Sequence, residues 1–172
     1  VPGSLSHLTR RFFEVLTAQP LTVAESDWVE ERLRPDEAAC FFSQPRPDQR
    51  HGRSAALVVT EAGVTDPVMI RAALLHDIGK RHSGLGVIGR SLASIAIRLH
   101  LPLIRRFRLY RDHGELGAAE LTRAGCEPLI VDFARHHHAS RPGSIAQDAW
   151  DLLLKADQPA KTRSTRRARI SS

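Results

Sequence analysis

The chain has 172 residues, with 25 Lys and Arg against 19 Asp and Glu, a formal charge of +6 at pH 7 and 42% hydrophobic residues. This suits one domain with a substantial core, and it excludes a disordered, collagen-like or wholly coiled-coil chain. The charge excess is local: Lys161 to Arg169 hold five basic residues and no acid, leaving residues 1–160 at a net of +1, so nucleic acid is not an expected partner and 161–172 reads as a basic disordered tail.

Apolar residues return at three and four almost everywhere, which predicts an all-α chain. Leu5, Leu8, Phe12, Val15 and Leu16 form a first helix that Pro20 closes. Thr22 to Leu33 and Arg34 to Ser43 follow, the second opened by Pro35 and Asp36. Pro45 and Pro47 mark a turn over Gln44 to Asp48, and Asp48 is placed to cap a helix through His51, Ala55, Val58 and Val59 that stops at Gly63. Asp66 and Pro67 open the next, carrying Val68, Ile70, Ala73 and Leu74 into the string LLHDIGK and ending at Gly79.

From Ile78 to Arg111 there are eight basic residues and no acid. Inside this stretch Ile88, Leu92, Ile95 and Leu99 share one helical face, with Ser91, Ser94 and Arg98 opposite. The expected role is a core-facing helix over the site; a phosphate-attracting wall or a membrane-surface element are the alternatives. Pro102 breaks the pattern. His113 to Gly125 and Glu127 to His138 are further helices, the latter with Leu129, Ile130 and Phe133 inward. Arg141 to Gly143 is a loop, and Ile145 to Asp157 is the last helix. Cys40 and Cys126 are too few for a disulfide framework, which points to a reducing, cytoplasmic compartment. No apolar run approaches the ~18 residues of a membrane span, so the chain is expected to be soluble.

Nine histidines is many for this length. His51, the pair His76 and Asp77, His113, the cluster His136 to His138, and Asp157 fall on five successive predicted helices. Asp77 stands between Leu75 and Ile78 in apolar surroundings, and Asp157 follows Leu152, Leu153 and Leu154. A carboxylate buried in such a setting needs a cation, and nearby imidazoles make a metal ion the economical one.

The order His, His-Asp, distal Asp, with the middle pair inside LLHDIGK, resembles the HD-domain superfamily of metal-dependent phosphohydrolases. The resemblance covers His51 to Asp157 and implies a single-domain, all-α helical bundle with a metal centre between its helices. On this reading residues 46–160 form the metal-binding core and 1–45 add helices that pack on it. The resemblance implies that His51, His76, Asp77 and Asp157 hold a first metal. DHGELGAAEL at Asp112 to Leu121 and ARHHHASRPG at Ala134 to Gly143 resemble the segments that bring extra histidines in two-metal members, here His113 and His137. Consecutive helical residues point ~100° apart, so His137 and His138 are taken to face inward and His136 to be a neighbour. The GYP signature of the cyclic di-GMP phosphodiesterases is missing.

The implied activity is hydrolysis of a phosphate ester, a nucleotide or related small phosphomonoester or phosphodiester, by a metal-activated water. Asp77 would bridge two ions, and Lys80 would assist catalysis by holding a phosphate oxygen. Arg81 and Arg141 are further substrate-binding candidates. The imidazole-rich ligand set favours Fe, Mn, Co, Ni or Zn, two per chain, over Mg or Ca. The alternative is a non-catalytic HD-type sensor that binds a nucleotide or metal without turning it over.

Overall fold

A computed structural model describes residues 19–158; the expected first helix and the basic tail lie outside them. The described residues form nine α-helices and no strand. They are α1 (Val23–Glu30), α2 (Pro35–Phe42), α3 (Arg46–Glu61), α4 (Pro67–Leu75), α5 (Val87–Arg98), α6 (Arg105–Arg111), α7 (His113–Arg123), α8 (Pro128–His136) and α9 (Gln147–Asp157), with a 3-10 turn over Ile78–Ser83 after α4.

Local chemistry sets most of the starts. Thr22 caps α1 through a reciprocal pair of bonds with Glu25 (3.3 and 2.9 Å). Asp66 caps α4 by accepting from the Val68 amide at 2.9 Å, with Pro67 in the first turn, where a missing N–H costs nothing. Pro35 and Pro128 begin α2 and α8 in the same way.

Helix α4 is the axis of the core, since every residue from Met69 to Leu75 is buried. Helices α3, α8, α9 and α2 pack around it, while α7 lies against both α8 and the 3-10 turn. Val29, Leu33 and Phe41 join the same apolar cluster as Ala55, Val59, Leu74, Leu121, Phe133 and Leu153. Beside that cluster runs a buried ionic brace. Glu37, fully buried, accepts from Arg34 at 2.8 Å and lies 3.1 Å from the Arg71 guanidinium, which also pairs with Glu127. The Cys126 thiol donates to the same carboxylate, and burial beside it pushes that thiol up to about 12.

Three sequence expectations change here. Asp48 does not cap α3, which begins two residues earlier at Arg46. It sits buried in the first turn, where both carboxylate oxygens receive the Arg90 guanidinium, at 2.5 and 2.7 Å. The α-helix that carries the His-Asp pair ends at Leu75 and not at Gly79; it continues as the 3-10 turn, which Gly84 closes in the left-handed conformation at φ 57°. The third change concerns α5. It does not turn its large apolar face to the core: Ile88, Leu92, Ile95 and Leu99 are all more than half exposed, and Ala93 and Ala96 are the residues it buries.

Close backbone approaches lock the helices that matter for the site. A side chain at Gly79 would collide with the His113 carbonyl oxygen and stand 2.6 Å from the Gly117 nitrogen, so the 3-10 turn touches α7 main chain to main chain. Gly52 and Gly114 meet the carbonyls of Leu74 and Arg135 in the same way, where a Cβ would fall 2.6 and 2.8 Å away. Gly79→Ala is therefore expected to lower stability by about 1–3 kcal/mol, the usual cost of overpacking a rigid contact. A melting temperature equal to wild type would show that the contact is loose.

Candidate metal centre

Six elements deliver the site. His51 comes from the second turn of α3, His76 is the cap residue of α4, and Asp77 opens the 3-10 turn. His113 begins α7, His137 caps α8 and Asp157 ends α9. All except His138 belong to helix ends or to the first two turns of helices, so backbone geometry and not a flexible loop sets their positions.

Two overlapping groups result. His51, His76, Asp77 and Asp157 form one, and Asp77, His113, His137 and His138 form the other; within each group the ligand atoms lie within 4.8 Å of one another. Asp77 belongs to both and divides its oxygens between them. Its Oδ2 lies 3.4 Å from His76 Nε2 and 3.7 Å from His51 Nε2, while its Oδ1 lies 3.4 Å from His137 Nε2 and 3.6 Å from His113 Nε2. Asp157 Oδ1 closes the first group at 2.9 Å from His51 Nε2 and 3.0 Å from His76 Nε2.

The second layer aims the rings. Nδ1 of His76, His113 and His137 lies 2.9, 2.7 and 2.9 Å from the carbonyl oxygens of Ala73, Tyr110 and Ala134, each three residues earlier. Those bonds require a proton on Nδ1, which leaves the Nε2 lone pairs pointing into the centre. Tyr110 also stacks on the His113 ring at 5.7 Å.

This arrangement fits cations. Nε2 of His113 and Nε2 of His137 face each other at 3.4 Å, two acceptors with no donor between them. Asp77 Oδ1 is buried with no hydrogen-bond partner, which costs about 1–3 kcal/mol unless something positive serves it. Burial would raise the Asp77 carboxyl, yet the Lys80 ammonium beside it leads the polar surroundings that outweigh burial and hold the group well below the ordinary range. Asp157 behaves alike, the effect of burial being overcome by the His51 and His76 rings that face it. His138, solvent-exposed as a residue, packs its ring on His137 at 4.0 Å; burial of that ring and the neighbouring His137 and His113 bring it down to about 4, so it is neutral at pH 7.

The remaining candidates fall in different places. Lys80 reaches the centre, where its ammonium pairs with Asp77 Oδ2. Arg81 is turned the other way, onto Glu120 at 2.8 Å and the Cys40 carbonyl. Arg141 bonds the Ile145 carbonyl in its own loop. His136 is in neither ligand group, while His137 and His138 both are. The ~100° step fails between those two because α8 has already ended at His136. The spacing also missed His82 and Glu120, which pair with each other beside the 3-10 turn.

The family model of the HD domain matches residues 51–171. No curated protein and no solved structure matches. Among the described residues no helix is long and apolar enough to cross a membrane.

Proposed function

The chain belongs to the HD superfamily of metal-dependent phosphohydrolases, and from that premise we propose that it hydrolyses a phosphate ester of a small, nucleotide-like substrate at a two-metal centre. The observation that carries this reading is the division of Asp77, with one carboxylate oxygen toward each ligand group. His51, His76 and Asp157 would complete one metal site and His113, His137 and His138 the other. Five imidazoles against two carboxylates favour Fe, Mn, Co, Ni or Zn over Mg or Ca.

Bound there, two divalent ions would supply a water acidified toward neutral pH and stabilise charge developing at phosphorus. The protein's own part is positional. Asp77 and Asp157 contribute two negative charges against four positive, so the loaded pocket stays cationic and attracts a phosphate. Lys80 sits beside Asp77 with its ammonium held charged; burial lowers its pKa, but the Asp77 carboxylate more than offsets that. Its terminus can move from carboxylate to a phosphate oxygen when substrate enters. His138, the exposed member of the second group, marks the side open to solvent.

The test pairs metal analysis with turnover. Protein loaded with Mn or Fe and freed of excess metal is expected to hold two ions per chain and to hydrolyse members of a phosphomonoesterase and phosphodiesterase panel. One ion per chain would sink the two-metal form of the proposal. Two ions with no turnover across the panel would favour a sensor that binds metal or nucleotide without hydrolysis.

A further inference from the structure

Helix α5 is built inside out for a globular protein. Its inward side carries Ala93, Ala96 and the Arg90 that pairs with Asp48, while Ile88, Leu92, Ile95 and Leu99 point to solvent. The exposed apolar run does not stop with the helix. His100 turns the chain at φ 53°, and Leu101 and Ile104, on the way into α6, are also at least half exposed. Large apolar residues gathered on one solvent face, with small ones inward, mark a surface made for contact.

The charges bordering that face are of one sign. From Ile78 to Arg111 no acidic residue occurs. Arg98 at the end of α5 and Arg105 and Arg108 on α6 are exposed, and among the described residues none of the three forms an ion pair. Arg90 and Arg106 are occupied in holding the segment to the body, through Asp48 and through the carbonyls of Ser83 and Gly84. The anchoring arginines thus look inward and the free ones outward. An apolar helical face edged with unpaired arginines matches the chemistry of an anionic bilayer surface, where the aliphatic side chains enter the acyl boundary and the guanidinium groups meet lipid phosphates.

We propose that α5 and the start of α6 form a membrane-surface anchor that lays the protein on anionic lipid by the Ile88, Leu92, Ile95 and Leu99 face. This binding is independent of the metal centre. The full chain is to be mixed with vesicles of phosphatidylcholine alone or with phosphatidylglycerol added, and the sedimented fraction measured at low and high salt. The expected result is binding to the phosphatidylglycerol vesicles that weakens with salt. Leu92→Ser with Ile95→Ser should cut it at least about tenfold, and Arg105→Gln with Arg108→Gln should cut it roughly tenfold. Both pairs are surface residues, so circular dichroism should match wild type. A wild-type chain that stays in the supernatant with both vesicle types overturns the proposal. So does unchanged binding by Leu92→Ser with Ile95→Ser, which would assign it to the basic tail. A wild-type dimer that becomes monomeric in that variant would give the face to a second copy of the chain, again overturning it.

Discussion

Asp77→Asn is expected to lower phosphate-ester hydrolysis by at least about a hundredfold, comparable to losing a principal electrostatic stabiliser, and to reduce bound metal in the same preparation. The amide keeps the shape of the side chain but removes its negative charge, and only one of its two terminal atoms can still act as a ligand. Because Oδ1 and Oδ2 face different histidine sets, the substitution weakens both groups where a change at His51 or His113 would weaken one. Lys80 loses its partner, so a stability cost of the order of 1–3 kcal/mol is expected; the helical circular dichroism should persist. Wild-type metal content together with wild-type hydrolysis would refute the bridging assignment. A chain that loses turnover but keeps two ions would move the role of Asp77 from holding metal to orienting the water.

Glu37→Ala should be the most damaging substitution away from the metal ligands. Glu37 is fully buried and faces Arg34, Arg71 and the Cys126 thiol. Removing one member of a buried ionic set costs about 3–5 kcal/mol, because the remaining charge is left without compensation. Arg71 keeps Glu127, which places the expected loss toward the lower end, a fall in melting temperature of roughly 10 °C. Thermal denaturation checks this, with metal content measured on the folded protein. Glu37 is in neither ligand group, so metal stoichiometry should hold at temperatures where the variant is folded. A loss below about 1 kcal/mol would mean that water reaches the brace.

At the centre, Asp77 and Asp157 were readable because each is a carboxylate set into an apolar helical run and demands a counter-charge, whereas His51, His113 and His137 were expected from the resemblance of their segments. Helix starts were readable at Thr22, at Pro35 and at Asp66 with Pro67. Other features depend on tertiary partners. Asp48 has the residue type of a cap, and only the arrival of Arg90 from 42 positions away makes it an ion-pair partner. The amphipathic period of α5 defines a face without saying which side of the helix meets the body; the small residues Ala93 and Ala96 decided that. Glu37, Arg71 and Glu127 are far apart in the chain, and no local spacing connects them. His137 and His138 were both expected to face inward; that α8 stops at His136, which lets two adjacent residues reach one centre, is a property of the fold and not of the spacing.

The glycine contacts at Gly52, Gly79 and Gly114 bear on how the centre tolerates change elsewhere. Each lies within two residues of a ligand, His51, Asp77 or His113, and each rests against a neighbouring main chain. The dimensions of a peptide unit are the same whatever side chains surround it, so main-chain contacts act as spacers of fixed gauge between the helices that carry the ligands. Methyl-sized changes in the apolar core, at Val29 or Val59 for example, can repack side chains while these main-chain contacts keep the ligand-bearing segments seated. The separation of the two ligand groups is therefore insulated from drift in the apolar core, and it responds instead to any side chain placed at the three points where none now stands.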